Sequence, residues 1–379
     1  MKIGLLGHGI VGSGVTGIID QKNLYGLVVD KILVKDQEEM TDARCTMNAD
    51  DILDDPQIDI VVECMGGIEP ARSFLLRALN NGKHIVTSNK KMLAECGKEL
   101  FRAAEENGCV IGFEATCGGG TPWLANIERI RRIEDIDSFR GIFNGTTNYI
   151  LSRMYDENAD FNEMLREAQK AGYAERDPSD DIDGHDVRFK VALSTAKAFG
   201  LMCDPAAIPA FGIRNISFRD MEYAKKNGYA LKLIGRGIRK NDHQNIFVIP
   251  AMIPEKDPFA NIGLNYNVTE SVSKTLGKAL FVAQGAGSLP TAHAVVQDLI
   301  DLAQNRKQPE QFKEDARIDN SDYEAEFYIR LDQPQNGDWI ASNVAENTYL
   351  TKRISLQKLE EILNAHENDN VFVAEVIHS

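Results

Sequence analysis

The sequence has little of what nucleic-acid-binding, membrane-spanning and disulfide-stabilised proteins need. Its 42 Lys and Arg residues are outnumbered by 57 Asp and Glu residues, and the net charge of −15 opposes binding to nucleic acid or to an anionic membrane. No apolar run approaches the roughly 18 residues of a membrane span. The six cysteines form no CxxC pair, and no histidine lies at zinc-site spacing from them. We therefore expect reduced thiols in a cytoplasmic protein, with no membrane or nucleic-acid partner.

What is present is an ordinary globular composition. Hydrophobic residues make up 43% and charged residues 26% of the 379 residues. This length is too great for one simple core and predicts two or three domains.

The first twelve residues predict a dinucleotide-binding turn. A short apolar run, 2–6, is followed at once by Gly-His-Gly-Ile-Val-Gly at 7–12, and then by a predicted helix from Ile10 to about Asp20. In this GxGxxG pattern the first glycine permits a tight turn and the second lets the backbone approach a pyrophosphate. The third lets the helix pack closely on the strand. The alternative is a glycine-rich turn without a ligand.

Predicted strands and helices alternate through residues 1–128. Further strands are predicted at 27–35, 58–64, 83–87 and 109–113, with helices at 66–80 and 91–106. Such alternation predicts a Rossmann-type, doubly wound parallel sheet that binds ligands at the carboxyl ends of its strands. The polar and glycine-rich stretches 65–67, 88–90 and 114–121 follow strands, as this predicts.

The rest of the chain predicts an α+β domain, 129–284, and a short C-terminal α/β tail. Strands are predicted at 213–218, 229–238, 245–253, 278–284, 326–331 and 371–377, and helices at 123–132, 149–171 with a break near Asp160, 186–200 and 355–366. The strands in 129–284 suit a mostly antiparallel sheet covered by helices. For residues 285–304 the sequence predicts a glycine-rich bend followed by a helix, and we expect this segment to pack on the first domain. Residues 305–325 predict a linker, and 326–379 form the tail.

The segment 175–190 carries the densest charge in the chain. Four carboxylates, Asp177, Asp180, Asp181 and Asp183, crowd a turn that a predicted helix follows. Asp186 and Lys190, four residues apart, fall on one face of that helix. A lysine beside acids at a helix start can pass a proton to or from a substrate oxygen. The alternative is a solvated, salt-bridged helix start.

Seven motifs in register resemble those of homoserine dehydrogenases. They are GHGIVG (7–12), DIVVECMGG (59–67), VTSNK (86–90), FEATCGGGTP (113–122), FNGTTNYIL (143–151), GYAERDPSDDIDGHDVRFK (172–190) and GAGSLPTAHAVVQDL (285–299). They cover roughly residues 1–304. The resemblance implies reversible, NAD(P)-linked interconversion of L-aspartate 4-semialdehyde and L-homoserine, a step of threonine and methionine biosynthesis, by a homodimer that associates through the sheet of the middle region.

The resemblance also assigns residues. Lys190, Asp186 and Lys90 fall on catalytic positions, and Glu175, Asp181, Thr146 and Tyr173 on substrate-binding positions. Gly7, Gly9, Ile10, Val11, Gly12, Lys35, Gly66, Thr87 and Gly287 are expected to contact the dinucleotide. Glu114, with backbone carbonyls near Cys117, Gly119 and Thr121, falls on a monovalent-cation site, and one carboxylate among carbonyls suits sodium better than zinc.

The chemistry of these residue types agrees with the resemblance. Hydride delivery to an aldehyde develops negative charge on oxygen, which a nearby ammonium stabilises and protonates. Acidic residues suit a substrate that carries an ammonium. Plainer interpretations remain: Lys90 and Lys91 as a surface pair, and Glu114 as a hydrogen-bonded structural carboxylate. A second functional hypothesis is a diverged paralogue that binds dinucleotide as a sensor or acts on another small aldehyde or alcohol.

The cofactor and the tail are the open points. Lys35 and Asp36 end the second strand; a basic residue there accommodates the phosphate of NADP and an acidic one the ribose of NAD. We expect NADP, with NAD also used. Cys64, Met65 and Gln284 depart from the family's pattern near the nicotinamide. The tail resembles the first strand of an ACT domain, but the ligand-binding loop of that domain does not follow. We interpret the tail as a degenerate remnant of the domain and therefore expect no feedback inhibition by threonine.

Overall fold

A computed structural model describes residues 1–285, 287–312, 316–366 and 370–378. The chain divides into two units. The first unit comprises Met1–Ile133, Ala192–Pro205 and Ala283–Asp315, and the second comprises Glu134–Val191, Ala206–Val282 and Ala316–Ser379. The predicted assignment of a dinucleotide domain, a catalytic domain, a linker and an ACT-like tail is a functional one, and it stays a prediction.

The strands and helices of the described residues are as follows. Strands are β1 Lys2–Leu6, β2 Val28–Leu33, β3 Cys45–Thr46, β4 Ile60–Glu63, β5 His84–Thr87, β6 Ile111–Gly112, β7 Ile136–Ile142, β8 Tyr229–Arg239, β9 Gln244–Pro254, β10 Tyr266–Ser273, β11 Gly277–Gln284, β12 Glu324–Arg330, β13 Ile340–Ala345, β14 Thr348–Thr351, β15 Ile354–Ser355 and β16 Phe372–Val376. Helices are α1 Ile10–Lys22, α2 Asp50–Leu53, α3 Ala71–Asn80, α4 Lys90–Glu106, α5 Trp123–Arg131, α6 Gly145–Glu157, α7 Phe161–Lys170, α8 Ser179–Ile182, α9 His185–Phe199, α10 Phe218–Lys226, α11 Ser288–Ala303 and α12 Leu356–Asn364. Short 3-10 helices lie at Gln37–Glu39, Glu114–Thr116, Pro205–Ala207 and Pro258–Asn261.

The first unit contains the predicted parallel sheet. Its strand order is β3-β2-β1-β4-β5-β6, and every neighbouring pair is parallel. This is the doubly wound Rossmann order, in which the chain reverses direction between β1 and β4 and opens a crevice at their carboxyl ends. The prediction of an α/β fold with this sheet is confirmed.

Helices α1 and α11 share a core with that sheet. Val15 and Ile19 of α1 and Val295 and Leu299 of α11 are buried in one cluster with strand residues such as Ile3. Residues 283–315 therefore belong to the first unit although 149 residues separate them from Ile133 along the chain. Full burial of such side chains stabilises a fold by about 1.5–3 kcal/mol each.

The second unit is built on one large mixed sheet. Over the described residues its strand order is β11-β10-β7-β8-β9-β16-β12-β14-β13, with β15 paired to β12. The pairs β7–β8, β8–β9, β7–β10 and β12–β16 are antiparallel, whereas β16 runs parallel to β9. The tail strands thus continue the sheet of the middle region.

The predicted strand at 213–218 is wrong. Ile213 and Ile216 are both buried, which explains the misleading apolar spacing, but the segment is a turn. The backbone N–H of Ile213 donates to the carbonyl of Ile182 at 2.7 Å, and that of Ile216 donates to the carbonyl of Ile213 at 3.0 Å. Helix α10 follows directly at Phe218.

The tail is anchored to α10 by a buried carboxylate. Asp220 is fully buried and accepts hydrogen bonds from the backbone N–H and hydroxyl of Ser217, at 2.8 and 2.7 Å. It also accepts from Tyr328 Oη at 2.8 Å and Arg330 Nε at 2.9 Å, both on β12. The Asp220 side chain therefore caps the start of α10 and also binds strand β12.

Asp220→Ala should lower the free energy of unfolding by about 3–5 kcal/mol, because it leaves the partly buried Arg330 guanidinium, 11% exposed, without its carboxylate. Urea titration followed by circular dichroism measures this. The matched control is Glu222→Ala in the same helix, which removes a 3.2 Å ion pair with Lys226 whose partners are 47% and 72% exposed. That change should cost at most about 0.5 kcal/mol. Equal effects of the two substitutions would contradict the anchoring role.

Candidate active site

The glycines after β1 form a turn that leaves room for a ligand. Gly7 has φ +94°, in the left-handed region, and a Cβ at Gly12 would overlap the carbonyl oxygen of Gly7. Packing therefore requires both glycines. A Cβ at Gly9 would meet no heavy atom of the described residues within 4 Å, and Gly9 stands at the N-cap of α1. The open space lies where N–H groups and the helix dipole suit a pyrophosphate, so the site fits a dinucleotide.

Lys35 and Asp36, which follow β2, have different surroundings. The Asp36 carboxylate accepts hydrogen bonds from the backbone N–H groups of Glu38 and Glu39, at 3.1 and 3.3 Å, and so caps the 3-10 helix at Gln37–Glu39. The side chain of Lys35 is exposed. Asp36 is therefore engaged in local structure, while Lys35 is available to solvent or to a ligand.

The carboxyl ends of β4 and β5 carry the next predicted residues. Gly66 has φ +77° in an exposed turn, and the hydroxyl of Thr87 is fully buried and bonded within the protein. Asn89 caps α4, whose first residue is the half-buried Lys90. Sequence reasoning missed Glu63, a fully buried carboxylate that contacts both Gly66 and Thr87.

Lys190 and Asp186 form a buried ion pair in the second unit. Gly184, with φ +82°, turns the chain into α9, which places the two side chains one turn apart. Lys190 Nζ lies 2.7 Å from Asp186 Oδ2 and 2.7 Å from the carbonyl oxygen of Phe143. The two residues are 9% and 4% exposed. These bonds aim the ammonium in a fixed direction, as a proton donor requires.

Asn144 joins this pair to Asp181 and was missed as a site residue, although it lies inside the recognised motif 143–151. Its Nδ2 donates to Asp181 Oδ1 at 2.6 Å and to Asp186 Oδ2 at 2.8 Å. Its Oδ1 accepts from the backbone N–H of Thr147 at 2.8 Å, capping α6 and fixing the amide orientation. Burial, and then the nearby Asp186, raise the pKa of Asp181.

The other predicted substrate residues lie around this cluster. The hydroxyl of Thr146 donates to the carbonyl of Tyr173 at 2.6 Å, and the Tyr173 ring, 40% exposed, lies 4.9 Å from that of Tyr149. Glu175 is exposed, and its carbonyl accepts from Gln169 Nε2 at 3.0 Å. Hydrogen bonds thus link Lys190, Asp186 and Asp181 through Asn144, and Thr146 is bonded to Tyr173, while Glu175 is an exposed side chain.

Glu114 is the buried carboxylate of the first unit's glycine-rich loop. Its oxygens accept from the backbone N–H groups of Leu124 and Ala125, at 3.0 and 2.7 Å, in the first turn of α5. Burial, and then Asp298, raise its pKa to about 7. The hydroxyl of Thr121 is buried with no hydrogen-bond partner among the described residues. The loop therefore holds both a helix cap and an unsatisfied oxygen.

The remaining predicted residues fall in the first unit. Val11 follows the exposed Ile10 in the first turn of α1. Gly287, with φ +139°, is the N-cap of α11. A Cβ at Gly119 would lie 2.6 Å from the carbonyl carbon of Gly285, so this glycine permits a close approach between two loops. Cys117 is fully buried. None of the helices in the described ranges has the length and apolarity of a membrane span.

Two family models match the chain. The model of the homoserine dehydrogenase NAD-binding domain matches residues 7–114, and that of the homoserine dehydrogenase domain matches 122–300. The homoserine dehydrogenase of Bacillus subtilis is 37% identical over 81% of this chain and 74% of its own length. The chain belongs to the homoserine dehydrogenase family.

The similarity to homoserine dehydrogenases extends through the tail. The Pseudomonas aeruginosa relative is 32% identical over 98% of this chain and 90% of its own length. The crystal structure of a homoserine dehydrogenase from Thiobacillus denitrificans has a TM-score of 0.90 at 31% identity, covering 100% of this chain and 98% of that one. This chain is thus an oxidoreductase with a nicotinamide-dinucleotide-binding domain, and the diverged paralogue is not favoured.

Asn144→Asp would set a third carboxylate against Asp181 and Asp186. Because two hydrogen bonds would become repulsions between like charges, we expect kcat/KM for homoserine oxidation at pH 7 to fall by about tenfold or more. Steady-state kinetics measure this. Asn162→Asp, the same change at an exposed position of α7, is the control for added charge and should keep the wild-type value. Wild-type kinetics of Asn144→Asp would argue against the bridge.

Proposed function

We propose that this chain interconverts L-aspartate 4-semialdehyde and L-homoserine with Lys190 and Asp186 as its proton relay. The observation that carries the proposal is the buried pair itself, with Lys190 Nζ held 2.7 Å from both Asp186 Oδ2 and the Phe143 carbonyl. Taking an ion pair out of water costs several kcal/mol of desolvation, which a purely structural contact does not require, so we assign this buried pair a functional role.

The reaction assigns a task to each group of the cluster. When bound, the nicotinamide dinucleotide delivers hydride to the aldehyde carbon or takes it from the alcohol carbon. Lys190 donates a proton to the oxygen on which negative charge develops, and takes it back in the oxidation direction. Asp186 keeps the ammonium oriented. Lys90, at the start of α4, is the second proposed catalytic lysine.

Carboxylates supply the proposed contacts to the substrate ammonium. Asp181 is bonded to the cluster through Asn144, and Glu175 is exposed in the turn 172–177. A carboxylate within about 4–6 Å of an ammonium favours the charged form of both groups. Thr146 and Tyr173, tied together by the 2.6 Å hydrogen bond, are the proposed uncharged contacts.

The test is absorbance at the reduced-nicotinamide band with purified protein, L-homoserine and oxidised dinucleotide at alkaline pH. Wild-type protein should give a rise. Lys190→Ala should lose at least about 1,000-fold in kcat, within the range that general acid–base catalysis contributes, and should bind dinucleotide as the wild type does. Lys226→Ala, at a 72% exposed position of the same unit, is the control. Unchanged turnover by Lys190→Ala would remove it from the mechanism.

We propose NADP as the preferred cofactor, with NAD also used. The support is that Asp36 is engaged in capping while Lys35 is exposed at the end of β2. Lys35→Glu should therefore raise KM for NADP about tenfold or more, and change KM for NAD little, since the lost attraction is to the extra phosphate. Lys22→Glu, exposed at the last turn of α1, is the matched control. Equal changes for both cofactors would contradict the assignment.

A monovalent cation, sodium first, remains proposed for Glu114, Cys117, Gly119 and Thr121. The unpartnered hydroxyl of Thr121 supports it, since a buried oxygen without a partner suits a ligand. The helix cap made by Glu114 shows that the carboxylate also has a structural role. Turnover in sodium, potassium and tetramethylammonium salts at equal ionic strength tests the proposal, and equal rates in all three would argue against it.

A homodimer through the sheet of the second unit is also proposed. Strand β11 lies at one edge of that sheet and exposes Leu280 and Val282, 36% and 50% exposed, on one face. Apolar side chains on an edge strand favour a covering partner. Sedimentation equilibrium should give twice the chain mass of 42.1 kDa, and a mass of 42.1 kDa would contradict the proposal. The cytoplasmic location stays a prediction.

A further inference from the structure

Glu63 is an ionisable residue where the fold otherwise calls for an apolar one. It ends β4, whose other residues are Ile60, Val61 and Val62, and it is fully buried in the central part of the parallel sheet. Burying a carboxylate is costly unless hydrogen bonds replace its hydration. The side chain is therefore retained for what it binds.

Both oxygens of Glu63 accept hydrogen bonds from the carboxyl edge of the sheet. Oε1 accepts from the backbone N–H groups of Met65 and Gly66, at 2.8 and 3.2 Å. Oε2 accepts from the hydroxyl of Thr87 at 2.6 Å. That hydroxyl itself accepts from the backbone N–H of Asn89 at 3.0 Å, so its single proton points to Glu63. All three groups that are bonded to the carboxylate are therefore donors.

Asn89 closes these bonds into a ring. Its Nδ2 donates to the carbonyl of Gly67 at 2.6 Å, and its Oδ1 accepts from the backbone N–H of Met92 at 3.2 Å, capping α4. Residues 65–67 and the start of α4 are thus held to one buried carboxylate, through the backbone on one side and through Thr87 on the other. Lys90 is the first residue of α4.

We propose that Glu63 is a positioning residue for hydride transfer. It fixes the turn 65–67, which lies at the carboxyl edge where the dinucleotide binds, and through Thr87 and Asn89 it fixes the helix start that carries Lys90. The second half of this inference rests on the proposed catalytic role of Lys90, and the first half does not. Because Glu63 is fully buried behind the turn, it acts through its neighbours.

Glu63→Gln tests the turn. The amide keeps the size of the side chain but offers a single acceptor oxygen, so one set of donors loses its partner. We expect the Kd for reduced dinucleotide, measured by its fluorescence, to rise about tenfold, and kcat to fall about tenfold or more. Asp59→Asn, at the amino end of the same strand, is the control and should leave both values unchanged. A wild-type Kd and kcat for folded Glu63→Gln would overturn the proposal.

Thr87→Val and Thr87→Ser separate the two arms of the ring. Valine removes the hydroxyl between Glu63 and Asn89 but leaves Met65 and Gly66 on the carboxylate. It should therefore lower kcat about tenfold, with a smaller rise in the Kd than Glu63→Gln gives. Serine keeps the hydroxyl, so Thr87→Ser should retain most of the wild-type kcat. A thermal melt of each variant shows that it is folded, and a fall shared equally by the two substitutions would overturn the role of the hydroxyl.

The two readouts also separate this inference from the proposed function. The Kd of Glu63→Gln depends on neither Lys90 nor homoserine turnover, so it supports or overturns the role in the turn by itself. Lys90→Ala with wild-type kcat would remove Lys90 from the mechanism, and with it the second half of the inference. A wild-type protein that bound dinucleotide and failed to oxidise homoserine would count against the proposed function alone.

Discussion

The packing around the buried ion pair of the second unit depends on the requirement that each buried charge has a partner. Asp186 and Lys190 are at most 9% exposed, so helix α9 must hold them against acceptors and donors that replace water. Asn144 and the carbonyl of Phe143 supply these, and both lie between β7 and α6. The helix must then approach β8 closely, which Gly235 allows, because a Cβ there would overlap the side chain of Val191. The ion pair thereby sets the packing of a helix, two strands and a turn.

In the first unit the same requirement is met by backbone N–H groups. Glu63 and Glu114 are both buried carboxylates that follow or end a strand of the parallel sheet, and each accepts from two successive or neighbouring amides. A carboxylate held in this way stiffens the loop that surrounds it, since the two amide donors are main-chain groups whose positions define the backbone path. Glu63 and Glu114 thus shape loops of the first unit, whereas Asp186 of the second unit holds an ammonium.

The sequence predicted those features that are encoded over short distances. The strand–GxGxxG–helix order and the four-residue spacing of Asp186 and Lys190 are local patterns, and each is present. The bridge made by Asn144 joins residues 37 and 42 positions away, and the burial of Glu63 depends on neighbouring strands, so neither has a local signal. The prediction of a strand at 213–218 is wrong because apolar spacing alone does not distinguish a strand from a turn anchored by two isoleucines.

The position of β16 has a consequence for the order in which the large sheet is completed. Phe372–Val376 lies between β9 and β12, and in the strand order of the described residues it joins β11-β10-β7-β8-β9 to β12-β14-β13. Until β16 pairs, β9 and β12 each present an open hydrogen-bonding edge. Such edges are sites of mispairing and aggregation. We therefore expect a chain in which β16 has not paired to aggregate more readily than the folded protein.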